Sequence, residues 1–258
     1  MVFTEHVVDL KSGPLSYRVA GIGAPIVYLH SAGGVRISEP LEELTKSYQV
    51  YVPTFPGFDG TPKHDGVDSK LALAELVSEF IDKEIGDKVD VIGQSFGGWV
   101  AAWLGARHAD KLDQLILECP AGFVPEGKGG LSNDPAILRR QLYAFPDRVP
   151  PDEKSAEIAK QNRALLPHYN KGGKSFDDAL AAELGNISCL TLIIAGNVDG
   201  VIPPDSGRLL KSRIPNSFLV YVHEAAHNIE IDQPKLFLRV VQDFLKWGRG
   251  FLVRRNAA

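Results

Sequence analysis

The stretch that most constrains the fold lies near the middle of the chain, at residues 88–100, and reads KVDVIGQSFGGWV. Residues 88–92 are mainly apolar and β-branched, which predicts a short buried strand. The sequence from Phe96 onward is rich in Ala, Leu and Trp and predicts a helix. Between the two, residues 93–97 (GQSFG) match the pattern G-x-S-x-G in the strand-turn-helix setting that this pattern requires.

A steric argument explains the spacing of the two glycines around Ser95. A serine on so sharp a turn has a strained backbone, and side chains two residues to either side would collide with neighbouring backbone. Gly93 and Gly97 remove those side chains, so the turn can lift the Ser95 hydroxyl clear of the sheet. The following helix points its N-terminus at the same place and favours negative charge there. The pattern alone also fits an ordinary Gly-rich turn, so the rest of the chain must decide.

Length, charge and cysteine content exclude several classes of protein. The 258 residues are enough for one large α/β domain or two small ones. A net charge of −4 gives no reason to expect nucleic acid or an anionic membrane as a partner. Two cysteines, Cys119 and Cys189, do not make a disulfide framework and are typical of a reduced chain. No secretory signal or membrane-spanning apolar run is visible, so a cytoplasmic location is expected.

Alternating strands and helices predict an α/β fold. The strands are predicted at residues 3–10, 15–20, 26–29, 49–52, 88–92, 114–117, 190–195 and 218–222. The helices are predicted at about 37–48, at 69–85, from 96 onward, and at 204–214 and 234–247. This order indicates a mostly parallel eight-stranded sheet with helices on both faces.

The alternation stops between residues 121 and 186. This segment is punctuated by Gly and Pro, carries two or three short helical patterns and has no convincing strand. An insertion of this length is too long for an ordinary connection. We predict a core domain at residues 1–120 and 187–258, and a small helical cap at 121–186 over the strand ends. Charged residues on short helices usually form the solvated face, but four arginines of the cap are also candidates for binding a carboxylate: Arg139, Arg140, Arg148 and Arg163.

Over nearly its whole length the chain resembles the α/β-hydrolase fold family. In that family the nucleophile, the acid and the histidine follow one another in this order. Residues 196–203 (GNVDGVIP) follow a late strand and are similar to the family's G-x-x-D-x-x-x-P, which implies Asp199 as the acid. His227 follows the last strand and precedes the closing helix, where the family has its catalytic base. The resemblance implies a Ser95–His227–Asp199 triad, with Ala226 where the family usually has Gly.

An early segment resembles the family's oxyanion-hole sequence H-G-x-G. It reads His30-Ser31-Ala32-Gly33, with Ser31 in place of the usual Gly. The alignment implies that the backbone N–H groups of Ala32 and Phe96 form the oxyanion hole.

Other residues compete for these roles or carry alternative roles. Glu118 and Asp113 flank an earlier strand, and some family members take their acid from that region. His223 competes with His227 for the base, although a packing or capping role suits it better. Asp59 precedes Gly60 and is interpreted as a turn residue rather than a substrate contact, and Cys119 as a buried inert thiol. No cofactor is implied, and no His or Cys spacing suggests a metal site.

The predicted function is hydrolysis of small to medium hydrophobic esters, with an acyl-enzyme on Ser95 and a small-molecule, ester-like substrate. The same residues also suit carbon–carbon bond hydrolases, perhydrolase or haloperoxidase relatives and lactonases, as well as thioesterases and hydroxynitrile lyases. Serine at the turn disfavours epoxide hydrolases and haloalkane dehalogenases, whose family pattern has Asp there. From a different class, a non-catalytic ligand-binding protein of the same fold stays open.

Overall fold

The computed structural model describes residues 2–125, 128–151, 154–171 and 174–251. The predicted cap includes residues 126–127, 152–153 and 172–173, which lie outside the described residues. No helix among the described residues is both long enough and apolar enough to cross a membrane.

Eight strands form a single sheet in the order β1-β2-β4-β3-β5-β6-β7-β8. Only the β1–β2 and β2–β4 pairings are antiparallel. The predicted mostly parallel eight-stranded sheet is therefore confirmed. The strands are β1 (Thr4–Leu10), β2 (Gly13–Ala20), β3 (Ala24–Leu29), β4 (Tyr48–Pro53), β5 (Val89–Gln94), β6 (Leu112–Glu118), β7 (Leu190–Gly196) and β8 (Ser217–Val222).

Ten α-helices accompany the sheet in the described part of the chain. They are α1 (Glu39–Leu44), α2 (Lys70–Phe80), α3 (Phe96–Arg107), α4 (Pro135–Leu142), α5 (Ala156–Ala164), α6 (Leu166–Asn170), α7 (Asp178–Glu183), α8 (Pro204–Arg213), α9 (Ile229–Asp232) and α10 (Pro234–Trp247). Apolar residues of α2, α3 and α8 bury into one core cluster, and those of α1 and α10 bury into a second. The two clusters form on opposite faces of the sheet, as expected for an α/β fold.

Two predicted helices are shorter or less regular than their sequence pattern suggests. The helix predicted at 37–48 is only α1, which begins after its N-cap Ser38 and gives way to β4 at Tyr48. The helix predicted at 69–85 is α-helical to Phe80 and then turns into a π-helical turn over Ile81–Ile85. Gly86, with φ 71°, ends that turn in a left-handed conformation that favours glycine.

Helices α4 to α7 lie between β6 and β7, inside the predicted cap segment. The last of them packs on the core, because Leu180 and Ala181 belong to the same buried cluster as α3. Its N-cap Asp177 also accepts hydrogen bonds from the indole N–H groups of Trp99 and Trp103, at 2.7 and 3.0 Å. The division into a core and a cap domain stays a prediction, but α7 is joined to the core.

The sheet brings the predicted site residues to one edge. Strands β3, β5, β7 and β8 run parallel to one another, so their carboxyl ends lie at the same side of the sheet. His30 follows β3, Ser95 follows β5, Asp199 comes three residues after β7, and His227 comes five residues after β8.

A buried carboxyl group on β5 makes the stability of the fold depend on pH. Asp90 is 8% exposed, and within the described chain its Oδ1 has no hydrogen-bond partner. Burial, reinforced by the nearby Asp113 carboxylate, raises the pKa of Asp90 to about 7. The folded chain therefore keeps this proton at pH values where the unfolded chain has released it.

The free energy of unfolding is expected to fall as the pH rises from about 4 to about 7, by up to about 4 kcal/mol from this group. The stabilisation from Asp90 is fully present below the pKa that this group has in the unfolded chain. It is lost as the pH rises through the pKa that the group has in the folded chain. We expect Asp90→Asn to remove this slope and to be more stable than wild type at pH 8. Urea unfolding at pH 4, 5.5 and 8 measures how the free energy of unfolding depends on pH. Asp110→Asn, at an exposed position, is the control. An unchanged slope in Asp90→Asn would contradict the assignment.

Candidate active site

Ser95 lies on the turn between β5 and α3 with a left-handed backbone, φ 55° and ψ −109°. Such a conformation is strained for a non-glycine residue and persists only where the surroundings hold it. Here the N–H of Ser95 donates to the carbonyl of Glu118 at 2.9 Å. Its carbonyl accepts from the N–H groups of Trp99 and Ala121, at 3.1 and 2.9 Å. The turn is thus fixed on both sides of the serine.

The glycines around Ser95 are required by close backbone contacts. A Cβ atom on Gly93 would lie 2.5 Å from the carbonyl oxygen of Gly97. One on Gly97 would lie 2.0 Å from the carbonyl oxygen of Leu29. Both distances are far below van der Waals contact, so the steric reason for the G-x-S-x-G spacing is present in the structure.

The side chains of Ser95, His227 and Asp199 form a continuous hydrogen-bonded chain. Nε2 of His227 lies 2.7 Å from Oγ of Ser95, and its Nδ1 lies 2.9 Å from Oδ2 of Asp199. The His227 and Asp199 side chains are 6% and 2% exposed. The predicted nucleophile, base and acid are therefore brought together from three separate loops.

The hydrogen bonds of Asp199 fix the tautomer of the imidazole. Oδ1 of Asp199 accepts from the N–H groups of Val201 and Ile202, at 2.8 and 2.9 Å. Oδ2 is left to accept the proton on Nδ1 of His227. Nε2 then carries a lone pair directed at the Ser95 hydroxyl, which is the arrangement that a general base needs.

The loop that carries His227 is held by a second buried aspartate. Asp232 accepts the N–H of Ala226 at 2.8 Å and those of Ala144 and Phe145 at 2.9 and 3.2 Å. One carboxylate thus ties the histidine loop to the chain that follows α4.

In the described chain, the side chains hydrogen-bonded to the His227 imidazole are those of Ser95 and Asp199, and none of the competing side chains takes their place. Glu118 is fully buried, and neither of its carboxyl oxygens has a hydrogen-bond partner in the described chain. Burial, with the neighbouring Glu230, raises the pKa of Glu118 well above its usual range, which disfavours the carboxylate form that a triad acid needs. Asp113 lies at the opposite end of β6 and is exposed, and His223 is exposed at the end of β8.

The loop that follows β3 at residues 31–35, which we call the oxyanion loop, is braced by His30. Its Nε2 accepts the N–H of Phe55 at 3.0 Å, so its proton is on Nδ1, which donates to the carbonyl of Ser31 at 2.7 Å. Burial lowers the pKa of His30 to about 4, so this neutral form persists at ordinary pH.

Ser31 is compatible with the geometry of the oxyanion loop. Its carbonyl accepts the N–H of Gly34 at 3.0 Å, and its hydroxyl accepts the N–H of Gly33 at 3.2 Å. The positive φ in this loop occurs at Gly34 (85°), and Ser31 is not among the residues described with positive φ. The serine therefore caps the turn from a conformation that any residue can adopt.

The two predicted oxyanion donors are available for a ligand. Throughout the described residues, the N–H groups of Ala32 and Phe96 make no hydrogen bond to another protein group. Phe96 is the first residue of α3, where an N–H has no partner within the helix. Ala32 and Ser95 line the same cavity.

That cavity has a volume of about 200 Å³ and combines an apolar wall with basic side chains. The apolar wall comes from Leu131, Leu138, Leu142 and Val201, three of them in the predicted cap. The basic side chains are Arg36, Lys154 and Arg163. Residues of the predicted cap segment therefore line the same cavity as Ser95.

A model of the alpha/beta hydrolase family matches residues 26–240. The chain belongs to this family. The resemblance inferred from the sequence is thereby confirmed.

Several individual relatives of this α/β hydrolase also match over most of their length. A 2-hydroxy-6-oxo-2,4-heptadienoate hydrolase from Pseudomonas putida is 28% identical over 87% of this chain and 90% of its own. A pimeloyl-(acyl-carrier protein) methyl ester esterase from Aeromonas salmonicida is 26% identical over 87% of this chain and 96% of its own. A crystal structure of a serine hydrolase from Cycloclasticus zankles superposes with a TM-score of 0.80 at 20% identity, over 98% of this chain and 100% of that one. Both ester and non-ester substrates occur among these relatives' names.

Of the four cap arginines named as candidates for binding a carboxylate in this α/β hydrolase, Arg163 is the one that lines the cavity at Ser95. Arg139 and Arg140 line a different cavity, and the Arg148 guanidinium lies 4.1 Å from the centre of the Phe145 ring. Sequence reasoning missed Arg36 and Lys154. Arg36 follows the oxyanion loop directly, and that position is the signal that could have found it.

One group of side chains has the spacing of possible metal ligands. The ligand atoms of Cys119, Asp199 and His227 lie within 4.8 Å of one another. Asp199 and His227 already use their facing atoms in a hydrogen bond, and burial raises the pKa of the Cys119 thiol well above its usual range. A protonated thiol is a poor ligand, so the hydrogen-bonded chain to Ser95 explains this cluster better than a metal does.

Proposed function

We propose that this α/β hydrolase cleaves carboxylic esters through a covalent acyl-enzyme on Ser95. The observation that carries the proposal is the pair of short contacts at His227, 2.7 Å to Ser95 and 2.9 Å to Asp199, at the floor of a cavity. A serine hydroxyl is a weak nucleophile until a base in hydrogen-bond contact removes its proton.

In the first step, Nε2 of His227 takes the proton of Ser95 as Oγ attacks the ester carbonyl. The carbonyl oxygen becomes an anion that the N–H groups of Ala32 and Phe96 stabilise, each worth about 3–4 kcal/mol in comparable sites. The imidazolium then gives its proton to the leaving alcohol and the ester C–O bond breaks. Water, deprotonated by His227, attacks the acyl-enzyme, and the acid product leaves with the Ser95 hydroxyl restored.

The basic side chains of the cavity suit a substrate that carries a carboxylate as well as the ester. Neither Arg36 nor Arg163 forms a salt bridge with a carboxylate in the described part of the chain. Within the described ranges, the Arg36 guanidinium donates to the Tyr143 hydroxyl and the Pro150 carbonyl, at 3.4 and 3.3 Å. Two guanidinium groups beside an apolar wall favour an acyl or alcohol group that ends in negative charge.

A second candidate function is hydrolysis of a carbon–carbon bond. The Pseudomonas putida relative is named for 2-hydroxy-6-oxo-2,4-heptadienoate, a compound with a ketone and a carboxylate but no ester. Its hydrolysis must therefore break a carbon–carbon bond. The basic cavity would accommodate that carboxylate as readily as one on an ester.

Turnover assays with p-nitrophenyl esters from acetate to decanoate test the proposal, together with labelling of Ser95 by a fluorophosphonate and peptide mapping. We expect ester turnover with a short-chain optimum, because the cavity is small, and label on Ser95 alone. The same protein is assayed on 2-hydroxy-6-oxo-2,4-heptadienoate by loss of the dienoate absorbance. Labelled enzyme that cleaves only the dienoate would replace the first function with the second. Absence of turnover on either substrate, together with absence of labelling, would contradict both candidate functions.

Arg163→Gln is expected to lower kcat/KM about 10- to 150-fold for an anionic ester, since a charge-assisted hydrogen bond contributes about 1.5–3 kcal/mol. The neutral ester should be unaffected. The pair to compare is p-nitrophenyl hydrogen glutarate and p-nitrophenyl valerate, which have acyl chains of equal length. Arg140→Gln, outside the cavity, is the matched control. Equal losses on both esters would show that Arg163 does not recognise charge.

A further inference from the structure

Three polar side chains from outside the oxyanion loop converge on its outer side. They are Asp59, from the turn after β4, and Lys154 and Asn162, from the predicted cap. We call this group the latch. None of the three belongs to the Ser95–His227–Asp199 chain.

Asn162, on α5, is the centre of the latch and is completely buried. Its Nδ2 donates to the carbonyl of Gly33 and to Oδ1 of Asp59, both at 2.8 Å. Its Oδ1 accepts the backbone N–H of Asp59 at 2.8 Å. Both amide protons and the amide oxygen are therefore used, which a buried asparagine requires.

Asp59 and Lys154 form the remaining hydrogen bonds between the latch and the oxyanion loop. Oδ2 of Asp59 accepts the N–H of Val35 at 2.7 Å, and its Oδ1 lies 2.9 Å from Nζ of Lys154. Nζ of Lys154 also donates to the carbonyl of Gly33 at 2.8 Å. The peptide groups on either side of Gly34 are thus held from both directions.

Gly34 shows how tightly the loop and the latch fit. A Cβ atom at Gly34 would lie 2.2 Å from Oδ1 of Asp59 and 2.5 Å from Nδ2 of Asn162. The Ser31 carbonyl accepts the N–H of Gly34, and the Ala32 N–H belongs to the same trans peptide group, so it points in the opposite direction. Fixing Gly33 and Val35 therefore fixes the direction in which the Ala32 N–H points.

We propose that Asn162 is a positioning residue that aligns the Ala32 N–H through the carbonyl of Gly33, so that the cap helix α5 completes the oxyanion hole. The inference rests on the proposed function. Preorganised donors stabilise a developing oxyanion because they need not reorient during the reaction. Helix α5 also lines the cavity through Ala159 and Arg163. A substrate that contacts α5 therefore contacts the same helix that holds the oxyanion loop.

The test compares Asn162→Ala with Gln161→Ala, a matched control at an exposed neighbouring position of the same helix. For Asn162→Ala we expect kcat to fall about 30- to 100-fold, because a small misplacement of catalytic groups costs about this much. KM should stay within about twofold. Rates are expressed per Ser95 that reacts with the fluorophosphonate at completion, so misfolded protein does not count.

A second measurement separates positioning from a merely structural role. The affinity for a substrate-like trifluoromethyl ketone, whose adduct with Ser95 carries an oxyanion, should fall by the same factor as kcat. The affinity for the carboxylic acid product should stay unchanged. Asn162→Asp keeps an acceptor for the Asp59 N–H but loses the donor to Gly33, so it should be at least as impaired as Asn162→Ala.

A wild-type kcat per labelled serine in Asn162→Ala would overturn the inference, as would equal losses of affinity for ketone and product. Neither outcome bears on the proposed function, which fails if wild type does not turn over esters or if its ester turnover does not depend on Ser95.

Discussion

Replacing Ser95 with alanine is expected to lower kcat for esters by about a factor of 10⁶, and His227→Ala by a similar factor. Without Oγ there is no acyl-enzyme, and without the imidazole the Ser95 proton has no acceptor within hydrogen-bond distance. The double variant should lose no more activity than either single variant, because the two groups act in one step. Asp199→Asn should cost about 10⁴, since it disturbs only the tautomer and charge of the imidazole.

Initial rates on the best p-nitrophenyl ester measure these losses, with KM and unfolding midpoint determined for each variant. His223→Ala is the matched control, since this exposed histidine is four residues from His227. Ester hydrolysis that survives Ser95→Ala would reject the mechanism. Losses that multiply in the double variant would show that Ser95 and His227 act independently.

The residues proposed for bond cleavage could be predicted from the sequence for two different reasons. Ser95 needs a glycine two residues to either side, and this steric requirement leaves a local pattern. Asp199 and His227 are implied by the resemblance to the family, which has its acid and its histidine in loops after the corresponding strands. The sheet, like Ser95, leaves a local pattern, because its buried strands are continuous apolar runs.

The residues around those groups could not be predicted, because their partners are distant in sequence. Asn162 meets Asp59 across 103 positions and Gly33 across 129. No sequence pattern on a short polar helix distinguishes a buried asparagine from a solvent-exposed asparagine. For Asp59, the interpretation as a turn residue accounts for its backbone, with φ 52°, but not for its side chain, which belongs to the latch and accepts the N–H of Val35.

The basic character of the cavity could not be predicted for a similar reason. Four arginines in the predicted cap were candidates, but helix packing selects only Arg163 and adds Arg36 from the core. Which charged side chains of short helices face inward depends on how those helices are rotated. That rotation depends on contacts with residues distant in sequence, and Asp232, which accepts hydrogen bonds from Ala144 and Phe145 after α4, is one such residue.

Among substitutions that add a single methyl group near the site, Gly97→Ala is expected to be the most damaging. The new Cβ would lie 2.0 Å from the Leu29 carbonyl oxygen and 2.6 Å from that of His30, both backbone atoms that cannot rotate away. Either β3 or α3 must move. We expect a loss of about 3 kcal/mol or more in the free energy of unfolding, at the upper end of overpacking effects.

The same shift should also disable the enzyme, because Leu29 and His30 lead directly into the oxyanion loop. In Gly97→Ala, molecules that remain folded should therefore show reduced kcat per labelled serine, in addition to lower stability. Urea unfolding and active-site titration separate the two effects. Gly185→Ala, whose Cβ would meet no atom within 4 Å, should stay within about 0.5 kcal/mol of wild type. If Gly97→Ala were as stable and active as Gly185→Ala, the close approach of α3 to the end of β3 would be wrong, and with it the geometry on which both the nucleophile and the oxyanion loop depend.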